Sequence, residues 1–215
     1  TSVTMAPIST GLGEVLYLRL KNPKLSLMAR RRLMDWVVRP RLRTIQGLAD
    51  VNVWGGQVRQ LHVLVDPLRL KEFGLDLSRV SLAIQANNAN GGGSFLERGS
   101  EQQLVTSLGL LRDGSDLERI VLKQDKNVPV TLGQVADIRE GPMLRQGALT
   151  QDGQDEEVYA ICLLLLGENG YQVVERVKAV LPELEAALPA GSRLEPFLDR
   201  SRLIDSTLKT ASRNL

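Results

Sequence analysis

Side chains able to bind metal ions or carry out acid–base and nucleophilic chemistry are few in this sequence. It holds one histidine, His62, one cysteine, Cys162, and four methionines, Met5, Met28, Met34 and Met143. Thioether and thiolate sulfur suit copper and silver, whereas imidazole and carboxylate suit zinc and cobalt. A binding site needs such groups to converge, and these are scattered along the chain. Met28, Met34 and Cys162 fall on elements where filling a core is the more frequent use of the side chain. No metal site is expected from this set. The acidic group Asp152, Asp155, Glu156 and Glu157 has the donors of a cation loop, but loops of this kind are usually only solvated. The run Arg30-Arg31-Arg32 reads as an exposed helix face, with pairing to acids of a neighbouring subdomain as the other use open to it. No catalytic set emerges either. The lone histidine lies in a strand pattern, and there is no nucleophile motif. Gly91-Gly92-Gly93 follows a helix and precedes a hairpin, the wrong order for a phosphate cradle. We therefore expect no enzyme and no cofactor.

Positioning these residues requires elements, and composition says that elements should form. With 215 residues, 43% hydrophobic and 24% charged, the chain is long enough for two small cores and has ordinary globular usage. Lysine and arginine exceed aspartate and glutamate by only 27 to 25, so no overall field draws the molecule onto nucleic acid or an anionic membrane. A single cysteine forms no internal disulfide and leaves the redox compartment open. The longest apolar run, Ala160 to Leu166, is far short of the ~20 residues of a membrane helix. The first residues lack the charged and apolar regions of a signal peptide.

Glu14 to Leu20 alternates with the period of a strand. Ser26 is a plausible N-cap for a helix carrying Leu27, Met34, Val38, Leu42 and Ile45 on one side, with Pro40 predicting a kink or early stop. A second strand spans Ala49 to Trp54, and a third Arg59 to Val65. Asp66-Pro67 then marks a boundary, after which helical segments read over Pro67 to Phe73 and Leu77 to Asn87. A glycine-rich hairpin follows from roughly Ser94 to Leu111, with Gly99-Ser100 at its tip. Asp116 to Arg119 reads as a helical turn, Ile120 to Lys123 and Val128 to Leu132 as paired strands, and Val135 to Glu140 as another strand. Beyond Gly141-Pro142, strands are expected at Gln146 to Thr150 and Val158 to Leu166. A helix over Tyr171 to Leu188, interrupted at Pro182, and a strand over Arg193 to Leu198 complete the order. Strand, helix, strand thus occurs at 14–56 and again at 146–198, with a stretch of different texture between. Two such halves sharing one sheet make an α+β, split ferredoxin-like arrangement, the middle stretch being an insertion with its own small core.

At the ends, Ile204, Leu208, Ala211 and Leu215 mark an amphipathic helix without a stop signal, and Thr1 to Leu12 enters without an initiator methionine. Trimming at flexible tails is one account of this. Excision from a longer chain whose next element is a membrane helix is the other.

Several runs resemble a known family. They are APISTGLGEV at 6–15, WVVRPRLRTIQGLADVNVWGG at 36–56, LVDPLRLKEFGLDLSRV at 64–80 and NNANGGGSFLERGSEQ at 87–102, followed by RQGALTQDG at 145–153, GENGYQVVERVKAVL at 167–181 and EPFLDRSRLIDSTL at 195–208. In collinear order over essentially the whole chain, they resemble the first large periplasmic loop of heavy-metal efflux pumps of the RND superfamily. The resemblance implies a porter subdomain in two pieces, 1–59 and 143–200, a docking subdomain at 60–142 inserted between them, and at 201–215 the start of a helix leading to a membrane span. It implies a homotrimeric pump in the inner membrane of a Gram-negative bacterium, this portion lying in the periplasm. The partners it implies are a periplasmic adaptor (a membrane fusion protein) and an outer-membrane channel, with no nucleic acid. The selective methionines and the proton-carrying acids of such pumps lie in other regions. The resemblance also assigns the hairpin arm, Ser94, Phe95, Leu96, Glu97, Arg98, Gly99 and Glu101, to contact with a neighbouring protomer. The arm carries apolar and charged groups that a small inserted domain could hardly bury by itself. A hairpin folded back on its own domain is the alternative for that segment.

For the chain as a whole, the alternatives are a free-standing ferredoxin-like ligand-binding or regulatory module and an RNA-binding sheet. The latter lacks its aromatic strand motif, since Tyr17, Trp54 and Tyr159 form no such signature. The isolated chain is expected to be monomeric or weakly associated.

Overall fold

The alternation in the first strand sorts its side chains between two faces. In β1 (Glu14–Lys21) Leu16, Leu18 and Leu20 are wholly buried, while Tyr17 and Arg19 take the opposite face. The computed structural model in which this is seen describes residues 13–99, 101–107, 109–125, 128–153, 155–202, 207 and 210. Contacts divide the chain into two compact units, 1–59 with 142–215 and 60–141.

The first unit is built on one four-stranded antiparallel sheet of order β10-β1-β9-β2, in which β2 is Leu48–Gly55, β9 Val158–Leu164 and β10 Arg193–Asp199. Every ladder joins the early half of the chain to the late half: β1 pairs with β9 and β10, and β2 pairs with β9. Neither half forms a sheet by itself. The helical segments lie on one face, where Met34, Val38 and Leu42 from the early half meet Val174, Val177, Leu181 and Leu184 from the late half.

The early helix starts where expected: the Ser26 hydroxyl accepts from the Ala29 N–H at 3.2 Å. It continues past Pro40 rather than stopping. After α1 (Leu27–Leu33), the segment Met34–Val38 is a π-helical turn in which the Arg39 N–H donates to the Met34 carbonyl, and α2 (Arg39–Leu42) follows. The extra residue in the turn before the proline relieves the clash between its ring and the preceding turn. Pro182 likewise does not interrupt its helix, because α7 (Gly170–Ala187) runs through it with Leu181 and Leu184 buried on either side. Packing of this face outweighs the ~3 kcal/mol that an interior proline costs. The segment Gln146 to Thr150, expected as a strand, forms only an isolated bridge between Thr150 and Glu156. The stretch Arg200 to Leu215 lies largely outside the described residues. Among those described, no helix is long and apolar enough to cross a membrane.

The second unit has its own core: Leu70, Val80, Leu117, Ile120, Leu122, Val130, Leu132 and Val135. Its sheets are small. β3 (Arg59–Val65) pairs with β8 (Ala136–Pro142), β4 (Gly91–Arg98) with β5 (Glu101–Ser107), and β6 (Val121–Asp125) with β7 (Val128–Thr131). Short helices join them: α3 (Pro67–Glu72), α4 (Leu77–Ala86), α5 (Gly114–Glu118) and α6 (Leu132–Val135). The hairpin strands end at Ser107, short of the Leu111 expected from the sequence.

Candidate functional site

Two features stand out, one in each unit. In the second unit, β4 and β5 form an antiparallel hairpin with Arg98 opposite Glu101, Glu97 opposite Gln102, and Phe95 opposite Leu104. Strands of eight and seven residues reach ~25 Å from root to tip. Gly99 turns the chain at φ 67°, a conformation that favours glycine. Among the described residues, the hairpin pairs with no other strand. Glu97, Arg98, Gly99 and Glu101 to Gln103 are exposed. The side chains of Ser94, Phe95 and Leu96 lie outside the described residues. Within the arm, Gln102 Nε2 donates to Glu97 Oε1 at 3.3 Å.

In the first unit, the sheet face opposite the helices carries Tyr17, Trp54, Tyr159, Ile161 and Phe197, which with Glu14, Leu149 and Thr150 line a cleft of about 330 Å³. Tyr159 is buried, with its ring 5.5 Å from that of Phe197 at an interplanar angle of 52°, a tilted pairing that favours contact. Trp54 and Phe197 remain 58% and 55% exposed, so together with Tyr17 and Ile161 they leave an open apolar patch on this face. Register explains the grouping, since Trp54 lies opposite Tyr159 and Tyr17 opposite Ile161. The sequence named Tyr17, Trp54 and Tyr159 only as lacking an RNA-binding signature, and Phe197 not at all. They fall on four strands far apart in the chain, so no local pattern joins them.

Charge on this face is paired. The Arg19 guanidinium donates to Glu195 and to Gln151, and the Tyr159 hydroxyl donates to Gln151 Oε1 at 3.0 Å. The bond from Arg19 holds the Glu195 carboxyl below the usual carboxylate range. Tyr17 donates to Glu14, and that bond, followed by burial, raises its hydroxyl pKa. Burial likewise raises that of Tyr159.

Two expectations about charged runs are corrected in part, since Arg32, Asp152 and Asp155 are exposed as expected and their neighbours are not. Arg30 and Arg31 are not an exposed face: Arg30 Nη1 meets Glu157 Oε2 at 2.8 Å with both side chains largely buried, and Arg31 bonds Asp35 and the Gly55 carbonyl at 2.7 Å. Within the acidic group, Glu156 and Glu157 are not merely solvated, since Glu156 is bound by Arg145 and Glu157 by Arg30. The Arg30–Glu157 pair is invisible locally because it joins residues far apart, whereas Arg31–Asp35 is an i, i+4 pair on one helix. Gly55 has φ 75°, and a side chain there would meet the Glu157 carbonyl oxygen at 2.2 Å.

Among the described residues, the sulfur and imidazole groups do not gather at one point. Met34 and Cys162 are wholly buried in the first unit's core, and burial pushes the Cys162 thiol up to about 12. His62 lies in the second unit with its ring over Gly141, and Met143 is partly exposed in the first. Met5 lies outside the described residues. Among those described, no three His, Cys, Asp or Glu side chains come together as a metal site would require.

Known proteins share both sequence and fold with this chain. The profile of the AcrB/AcrD/AcrF family matches residues 1–215. Protein HelA of Legionella pneumophila is 35% identical over 99% of this chain and 21% of its own length. The cation efflux system protein CusA of Escherichia coli K12 is 35% identical over 100% of this chain and 21% of its own. The cobalt-zinc-cadmium resistance protein CzcA of Cupriavidus metallidurans is 33% identical over 98% and 21%. A crystal structure of a heavy metal efflux pump superposes with a TM-score of 0.84 at 33% identity, covering 97% of this chain and 21% of that one. The chain thus spans about a fifth of the length of these relatives. It belongs to the AcrB/AcrD/AcrF family, on the branch of the RND superfamily that holds the heavy-metal efflux pumps.

Proposed function

We propose that the chain is the periplasmic porter and docking portion of a proton-driven RND transporter that exports heavy-metal cations. In this reading the first unit is a split ferredoxin-like porter subdomain, residues 1–59 and 143–200, and residues 60–142 are a docking subdomain inserted in it. Residues 201–215 begin the helix that leads into the inner membrane of a Gram-negative cell. The observation that carries the reading is the interleaved sheet: its strand order joins two distant β-α-β halves, while a unit with its own core is threaded between them. The role is mechanical and not catalytic. The porter half shifts as a packed body as substrate moves past it. The exposed hairpin holds the neighbouring protomer of a homotrimer, and the docking subdomain joins the periplasmic adaptor and outer-membrane channel.

The full-length protein, expressed in a Gram-negative host stripped of its own metal efflux pumps, is expected to raise tolerance to at least one of cobalt, nickel, zinc, cadmium, copper or silver and to lower its cell content. Unchanged tolerance and content for all six would sink the reading. The aromatic cleft is the feature that favours a second reading, a free-standing ligand-binding module. The coding sequence separates the two: a frame running through Leu215 into an apolar helix supports the transporter, and a stop codon there supports the module.

A further inference from the structure

The hairpin must leave its unit in a defined direction, and the residues at its root set that direction. The last backbone pair of the ladder is Gly91 with Ser107, and the ladder is irregular between Gly91 and Ser94. Below it, backbone pairing gives way to side chains. The Gly109 N–H donates to Asn90 Oδ1 at 3.3 Å, and the Leu111 N–H donates to Asn88 Oδ1 at 3.2 Å. Counting six residues from the pair Ser94 and Val105 reaches Asn88 and Leu111, so these contacts fall on the numbering of the upper hairpin, with the Gly91–Ser107 pair between them shifted by one residue. The asparagine carbonyls thus stand where backbone carbonyls would in a longer hairpin, a substitution that short amide side chains make readily. Between the two bonds the strands come too close for a side chain, since a Cβ on Gly109 would sit 2.3 Å from the Ala89 carbonyl oxygen.

Both sides of this root are fastened to the unit. On the outgoing side, Asn87 Nδ2 donates to the Ala83 carbonyl at 2.8 Å in the last turn of α4, whose Val80 is in the core. On the returning side, the Arg112 N–H donates to Asp116 Oδ2 at 3.0 Å and Asp113 caps α5, whose Leu117 is in the core. A continuous path therefore runs from packed side chains through the asparagine pairs to the arm.

We propose that Asn88 and Asn90, with Gly109, form a side-chain ladder that fixes the direction of the hairpin, which makes them positioning residues for the contact the arm makes with a neighbouring protomer. The second clause rests on the function proposed above, and the first does not. The test uses the double variant Asn88→Ala/Asn90→Ala in the 215-residue chain. Hydrogen exchange at Gly109 and Leu111 is expected to accelerate about five- to tenfold, the effect of losing one modest hydrogen bond at each. The distance distribution between spin labels at Gln103→Cys and Glu118→Cys should broaden; the wholly buried Cys162 takes no label. Asn88→Asp/Asn90→Asp keeps the acceptor oxygens and should restore both readouts, while Gly109→Ala should broaden the distances with the asparagines intact.

Unchanged exchange and unchanged distances in the alanine variant would overturn the proposal. So would faster exchange spread evenly over the unit, Leu70 and Val80 included, because the asparagines would then only stabilise it. Cross-linking of the full-length trimer provides a separate reading. Broadened distances with normal cross-linking leave the ladder standing and remove the arm's role between protomers.

Discussion

The two units hold themselves together by different means. In the first, the sheet is made wholly of ladders between distant parts of the chain, closed over a core of Leu16, Leu18, Leu20, Met34 and Val38. In the second, two-stranded ribbons and short helices depend on side chains that satisfy backbone groups at element ends. Asp66 accepts from the Leu68 N–H at 2.8 Å, Asp76 from the Arg79 N–H at 2.6 Å, and Thr131 with Gln134 forms a capping box. A wide sheet satisfies its backbone internally and can rely on burial, whereas a short helix has most of its backbone groups at its ends and depends on caps. Both units have a core and capped helices, Ser26 and Asn169 capping those of the first, but the first should answer more to core truncation and the second, with its shorter helices, more to loss of caps.

Leu18→Ala is the largest break offered by that contrast. It should destabilise the first unit by about 3 kcal/mol, as truncation of a wholly buried leucine does. Hydrogen exchange should show the loss in β1, β9 and β10 while Val80 and Leu122 keep their protection. Equal loss in both units would mean that the two cores do not melt separately. Arg30→Ala comes next, at about 2 kcal/mol, because it leaves the largely buried Glu157 carboxylate without its partner. Adding Glu157→Gln should recover part of that, and a double-mutant cycle without coupling would show that the pair contributes little. Asp76→Ala should cost about 1 kcal/mol, confined to α4 and its neighbours, as loss of an N-cap does. Calorimetry showing no change would remove the capping half of the comparison.

What was legible in the sequence follows the same division. Strand β1, the Ser26 cap and the glycine-rich hairpin could be read because period, cap and turn are local signals. Gln146 to Thr150 is strand-like only at its end, where the Leu149 carbonyl accepts from the Glu157 N–H at 2.9 Å and Thr150 bridges Glu156, and the rest finds no partner strand among the described residues. The turn α6 is only four residues long, too short to show a period. Pro40 announced a disturbance of the helix but not its form, a π turn placed before the proline. The aromatic face, the Arg30–Glu157 pair and the Asn88–Leu111 contact join residues that only the folded chain brings together, so they could not be seen before it. The hairpin was thus legible as an element and illegible at its root, where side chains replace the ladder.

The smallest expected effect concerns pH and lies on the open face of the first unit. Arg19 donates to Glu195, and this bond lowers the carboxyl's pKa in the folded chain relative to the unfolded one. A lowered folded value means that the unfolded state takes up the proton first as pH falls. The stabilisation is therefore complete above the usual glutamate value of ~4.3 and is lost as pH falls through the folded value beneath it. Because the Glu195 side chain is 40% exposed, solvent screens the pair and the effect stays small. Glu195→Gln removes the titrating group. The gap in melting temperature between the parent and this variant should be widest at neutral pH and close on acidification below the usual glutamate value. A gap that persists unchanged to acid pH would mean that Glu195 acts through packing against β1, and the open face would then be held, like the helix face, by burial.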